Sequence, residues 1–347
     1  MQLDIAHATS TFLEKVRAAS HAGALRHAFE WLQVCAERWA ARKFPPLEIA
    51  AIVNGWHDHL IRRAVELVLV ELQDRGLGGP PAPFCWLLLG SGGRQEQTLH
   101  PDQDNALLYS ATAGREQEER AFFNSLAEVA VERLAEIGYP YCPGYVMASN
   151  PRWNLSFPDW QHKIEDYASY PDWDNARYLM ILADLRPIFG DKVLADQLSD
   201  WLMGELAKQR FLHYQVAHHL EERKVALDWR GRLRVDVWGE QEGRLNVKEG
   251  GYLQIVNAVR LWAVAHGLSA NSTEQRIDRL QAAGVWEVAW AQEVRAALEE
   301  LVRWRLWSNY VDPAPFTAAE TDRLKTALKT ARQLQKRTAK RFAKPRG

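Results

Sequence analysis

The chain has 347 residues, 47% of them hydrophobic and 25% charged, with a formal net charge of −1. Its length accommodates two or three domains, and its composition is ordinary for a globular protein. The charge balance gives no global attraction to nucleic acid or an anionic membrane, no run reaches the ~18 apolar residues of a membrane span, and no basic-plus-apolar leader pattern opens the chain.

Residues 1–78 read as a helical lead-in. Leu25, Phe29, Leu32, Ala36 and Trp39 recur at spacings of three and four, as do Ile49, Ile52, Trp56, Leu60, Leu67 and Val70 after Pro45-Pro46. His57 and His59 sit in this stretch and are expected at the surface or at a helix cap rather than on a metal. A Gly79–Pro83 linker leads into residues 79–155, where strand and helix patterns alternate. A helix is expected from about 115 to 137, closed by Gly138, and a third strand and turn over Tyr141–Pro151.

Residues 156–247 read as mainly helical. One helix starts near Asp159-Trp160, one runs over Ala176–Leu185, and a long amphipathic stretch covers 192–228. Residues 248–347 are helical again. Ile255, Val259, Trp262 and Ala263 face inward, Asn271–Gln275 has the pattern of a capping box, and the spacing from Leu324 to Phe342 marks a last helix. The outer face of that helix is basic (Lys336, Arg337, Lys340, Arg341, Lys344, Arg346) and reads as solvated. The fifteen tryptophans mostly follow helical spacing, which assigns them to core or interface. Cys35, Cys85 and Cys142 have neither metal spacing nor a disulfide framework, which fits a reducing cytoplasm.

The stretch with the most chemistry is Phe84–Tyr109. Residues 84–89 form a continuous apolar run, as expected of a strand buried on both faces. Gly90, Gly92 and Gly93 follow with Ser91, a turn that brings backbone close to a ligand and opens a helix whose free N–H groups hold phosphate. A second strand is expected to carry Asp102 and Asp104. Alternate residues of a strand face one side, so the two carboxylates would point together about 7 Å apart at their Cα atoms. A phosphate-binding turn facing two hard oxygen ligands predicts a nucleoside triphosphate site with Mg²⁺.

Gly90-Ser91, followed after ten residues by Asp102-x-Asp104, resembles the nucleotidyltransferase signature of the DNA polymerase β superfamily. The fuller string from Gly90 to Leu99, with Asp102–Leu107, resembles more narrowly the signal-transduction nucleotidyltransferases related to the uridylyltransferases of nitrogen-signalling proteins. The resemblance extends over nearly the whole chain. It implies an α+β fold, with a small mixed-sheet nucleotidyltransferase domain at 79–155 between helical regions, 248–347 forming a C-terminal substrate-binding domain. It also implies Mg²⁺-dependent transfer of a nucleotidyl group from a nucleoside triphosphate to a hydroxyl on a protein acceptor, in signalling.

Asp102 and Asp104 would be the catalytic metal ligands. Gly90, Ser91, Arg94, Glu96, Gln97, Asn150 and Lys248 would contact the nucleotide, Lys248 from the Lys-x-Gly-Gly segment and Arg260 as a weaker addition. Two departures stand out. Gln103 occupies a position usually apolar, and no third carboxylate lies on the strand expected at 144–149; Asp184 or Asp159 is the available substitute. The alternative is a regulatory module that binds nucleotide without transferring it.

Overall fold

A sheet of four strands organises the first part of the chain in the computed structural model, which describes residues 2–344. The chain divides into two compact units, one built from residues up to Lys163 with Asp184–Ser199, the other from Ile164–Ala183 with the chain from Asp200 onward.

The first unit opens with α1 (Gln2–Ala18), α2 (Ala22–Ala41) and α3 (Pro46–Asp74). His21 caps α2 by accepting from the Ala24 amide, and Pro46 stands at the first position of α3, where a missing N–H costs nothing. The stripe predicted on α2 is buried throughout. On α3 the predicted stripe holds at Ile49, Trp56 and Leu60 but then drifts. Val70 is 56% exposed, and Ala64, Val65, Val68 and Leu72 carry the buried face instead. A 29-residue helix at 3.6 residues per turn walks away from any fixed three-four pattern.

Next come β1 (Phe84–Leu88), the single turn α4 (Gly90–Gly93), β2 (Asn105–Tyr109) and α5 (Glu116–Ile137). A 3-10 turn at Pro151–Trp153 leads into β3 (Asn154–Ser156), and α6 (Phe157–Ser169), α7 (Trp173–Leu182), β4 (Arg186–Gly190) and α8 (Lys192–Ala207) follow. Strand order is β3-β2-β1-β4. β1 is antiparallel to both neighbours, with Leu88 opposite Asn105 on β2 and Arg186 on β4, while β3 runs parallel to β2. Every residue of β1 and β2 is buried, and Trp160 on α6 donates its indole N–H to the Leu107 carbonyl at 3.1 Å. The fold is α+β, as its sequence pattern implies.

The third strand is not where the sequence placed it. Residues 141–150 form turns, and the strand begins at Asn154. Pro140 and Pro143 have no N–H for a ladder, and Gly144 weakens an extended run. β4, by contrast, was not foreseen: Arg186-Pro187-Ile188-Phe189-Gly190 contains a proline and lies at the sheet edge, where proline is tolerated.

The second unit contains α9 (Arg210–Glu222), β5 (Leu245–Asn246), a π turn at Lys248–Tyr252, α10 (Leu253–Ala265), α11 (Thr273–Ala282), α12 (Val288–Arg305), β6 (Tyr310–Val311) and α13 (Ala318–Arg341). The stretch expected at 192–228 is two helices, interrupted after Ala207. Ser272 caps α11 by accepting from Gln275 N–H, and Thr317 and Glu320 form a reciprocal capping box that starts α13. Along α13, Leu324, Leu328, Ala331, Leu334, Thr338 and Phe342 are buried, while Lys336, Arg337, Lys340 and Arg341 are exposed. Arg346 lies outside the described residues. Among the described residues, no helix is long and apolar enough to cross a membrane.

His57 corrects its sequence expectation. It is fully buried, its Nδ1 2.9 Å from the Tyr139 hydroxyl and its Nε2 3.0 Å from the Thr98 carbonyl oxygen. Burial pulls its pKa down to about 4, against the partial opposition of the Thr98 hydrogen bond. The folded pKa therefore lies below the unfolded one, so the contribution is complete above the unfolded value near 6.5 and is lost as pH falls toward 4. That difference corresponds to about 3 kcal/mol. Urea denaturation at pH 7 and pH 5 should show wild type losing more stability on acidification than His57→Asn; equal losses would remove His57 from the account.

Candidate functional site

β1 ends at Leu88, and the chain turns at once. Gly90 adopts φ +52°, a left-handed conformation that side chains resist, and a Cβ there would run into Asp104 Oδ2. Gly93 admits no Cβ either, because the Asp184 carbonyl oxygen fills that space. The glycines thus serve close approach: one lets an acid lie against the turn, the other lets the turn lie against the chain entering β4.

Asp102 and Asp104 stand in an extended segment just before β2, not inside it. The Leu89 amide donates to the Asp104 carbonyl at 2.9 Å, but Gln103 N–H turns away to the Pro140 carbonyl at 3.0 Å. The carboxylates still face the same way. Ligand atoms of Asp102, Asp104 and Cys142 all lie within 4.8 Å of one another. The Cys142 thiol is buried and pushed up to about 12, first by burial and then by the Asp104 charge. It stays protonated and hydrogen-bonds to Asp104. Two carboxylates are hard oxygen donors that suit Mg²⁺, whereas the thiol orients one of them; the donor set fits a divalent ion shared with phosphate oxygens.

Gln103 resolves one departure. Its buried amide donates to the Val131 and Tyr139 carbonyls, each at 3.0 Å, and accepts from Asn105 at 3.2 Å. A polar side chain fills the usually apolar position because each of these groups finds a partner. Asn105 in turn accepts from the Ala148 amide at 2.8 Å, fixing the 141–148 loop that brings Cys142 to the acids.

Arg94 is placed differently from a free phosphate clamp. Its guanidinium is buried, with Nε 2.8 Å from Glu96 Oε2 and Nη1 2.5 Å from Asp184 Oδ2. Arg186 reinforces the same corner, donating to the Gly92 carbonyl and pairing with Asp58 at 2.7 Å. Asp184 is thereby committed to Arg94, and Asp159 lies 3.8 Å from Arg120; neither belongs to the acidic group. Gln97 is anchored through Asn54, whose Oδ1 accepts its amide at 2.7 Å. Its side chain lines a small cavity with Asp102, Asp104 and Gly92, and its Oε1 is buried without a hydrogen bond among the described residues. Ser91 is half-buried on the turn.

The two remaining expected nucleotide contacts are Asn150 and Lys248. Asn150 caps the 3-10 turn, accepting from Arg152 N–H at 3.0 Å and donating to the Tyr145 carbonyl at 3.0 Å. Lys248 belongs to the second unit, where its ammonium has no hydrogen bond or ion pair among the described residues. The glycines after it are packing glycines: Cβ atoms there would meet Ala226 at Gly250 and Leu301 with Leu328 at Gly251. Cys142, Asn105, Asn54 and the Asp184 pairing were not anticipated as parts of the site. Only Asn105, adjoining the Asp-x-Asp string, stood where a sequence signal existed.

A glycine turn after a buried strand, facing two convergent carboxylates at one end of a small mixed sheet, is the arrangement expected of a nucleotidyltransferase. The family model "Putative nucleotidyltransferase DUF294" matches residues 30–174, and "Putative nucleotidyltransferase substrate binding domain" matches residues 209–342. Together these matches span most of the chain, which belongs to this nucleotidyltransferase family. No curated protein matches it.

Two outcomes test this construction. Gly90→Ala should displace Asp104 and lower Mg²⁺ affinity about 10- to 100-fold by calorimetry, the cost typical of disturbing a metal ligand's support. Arg94→Met should destabilise the fold by about 3–5 kcal/mol in urea denaturation, since it removes a buried guanidinium that pairs with two carboxylates. A stable Arg94→Met protein with weakened triphosphate binding would instead make Arg94 a ligand contact.

Proposed function

We propose that the protein transfers a nucleotidyl group from a nucleoside triphosphate to a hydroxyl on a protein acceptor, with Mg²⁺, as a signalling step in a reducing cytoplasm. The observation that carries this reading is the convergence of Asp102 and Asp104 on the Gly90 turn. Asp102 and Asp104 would hold the ion, which when bound supplies charge against the phosphate oxygens as pyrophosphate leaves. The Ser91 hydroxyl and the first N–H groups of α4, which have no partner inside so short a helix, receive the triphosphate. Gln97 offers its amide at the wall of the same cavity. Arg94 and Glu96 act from behind the turn rather than on the nucleotide.

One observation favours a second reading, a nucleotide-binding regulator without transfer. Residues 144–149, where relatives in the superfamily commonly have a third carboxylate, carry none, and the group beside Asp102 and Asp104 is the protonated Cys142 thiol. The two readings separate on incubation with each labelled ribonucleoside triphosphate, Mg²⁺ and cell lysate. Transfer predicts a labelled macromolecule, abolished by Asp104→Asn because charge on the leaving pyrophosphate is stabilised most in the transition state, while Ser91→Ala mainly raises the nucleotide concentration required. Wild-type binding with no label transferred from any of the four would leave the regulator.

A further inference from the structure

Within the second unit, a cavity of about 250 Å³ opens among α7, α9, the π turn and α10. Arg177 on α7, Arg223 at the C-cap of α9 and Arg260 on α10 line it. Among the described residues, Glu249 is the one carboxylate in the lining, and it is engaged by Arg223 at 2.7 Å. Arg223 also donates to His219 at 3.3 Å, and Arg260 donates to Asn257 Oδ1 at 2.7 Å, which sets both side chains in place. Arg177 is exposed and has no hydrogen bond or ion pair among the described residues. Three guanidinium groups thus face the cavity, and that of Arg177 is an uncommitted planar donor.

Its other wall is flat and apolar. Trp173 at the start of α7 stacks on His219 with ring centroids 3.4 Å apart, and Trp173 remains 38% exposed. Burial first, and then the neighbouring Arg223, pull the His219 pKa down, so the imidazole is a neutral ring at neutral pH. Met180, Ile181, Val216, Leu220 and Leu253 supply further apolar lining. Guanidinium groups pair with phosphate in bidentate geometry, and aromatic faces accept planar rings. The volume lies just under the ~300–1,000 Å³ of sites for drug-sized ligands, so a peptide segment or a dinucleotide is too large.

We infer that this cavity binds a nucleoside monophosphate, its phosphate held by Arg177 and Arg260 and its base set against the Trp173–His219 pair. Every lining residue belongs to the second unit, so binding needs neither Asp102, Asp104 nor a metal ion. The inference is independent of the transfer reaction: either can fail without the other.

Calorimetry on the full chain in EDTA tests it, with each of the four ribonucleoside monophosphates, the matching nucleosides and inorganic phosphate as probes. At least one monophosphate should bind, with its nucleoside and phosphate alone each about tenfold weaker or worse. Arg177→Ala should weaken that binding by about 10-fold or more, as expected for a charge-assisted hydrogen bond. Trp173→Ala should also weaken it, and Asp104→Asn should leave it unchanged. Arg177 is exposed, so its variant keeps the fold, which a melting curve verifies. No binding by any monophosphate, binding unaffected by Arg177→Ala, equal binding of phosphate alone, or loss of binding in Asp104→Asn would each overturn the assignment.

Discussion

A buried guanidinium holds the glycine turn in place. Arg94 leaves the end of α4 and points inward, between Glu96 two residues on and Asp184 ninety residues on. Burying three charged groups is costly unless geometry and pairing are good, so this cluster tolerates little movement. The turn it braces carries Gly90 against Asp104, and Gly93 against the backbone of Asp184 itself. The acids can converge because the turn cannot drift. The same corner is fixed a second time by Arg186, which reaches back to Gly92 and across to Asp58 on α3. A site whose ligands come from a loose extended segment is thereby mounted on rigid parts.

Much of this was legible in the sequence where periodicity is strong. The α2 stripe, the buried run of β1, the span of α5 and the α13 face follow directly from spacing. The glycine turn and the Asp-x-Asp string point to one another because both have a chemical reason to exist. Legibility fails where tertiary partners decide. Nothing local distinguishes a surface His57 from one that bridges Tyr139 and Thr98 in the core. Arg94 has the same letter whether it grips phosphate or a buried aspartate ninety residues away. Gln103 looks out of place until two backbone carbonyls are found waiting for its amide. β4 is short, contains proline and lies at an edge, so no alternation announces it.

The polar residues around the acids share one logic. Gln103, Asn105 and Asn54 bind backbone groups of loops rather than the site's centre, so each converts a flexible connection into a fixed one. Amides suit this work because they donate and accept at once without adding charge. The two carboxylates of Asp102 and Asp104 are thus left as the acidic groups that face one another there.

The return of the chain after α7 has a consequence for how this protein can be divided. The first family match ends at residue 174, yet the first unit resumes at Asp184. A fragment cut at that match would lose β4, leaving the unsatisfied edge of β1 open to pairing with other chains. It would also lose Asp184, a buried carboxylate that pairs with Arg94. The sheet is thus closed by residues that arrive only after the chain has already contributed a helix to the second unit. The unit that carries the two acids is discontinuous in the chain, and a gene fragment that respects the sequence match would not respect the physical one.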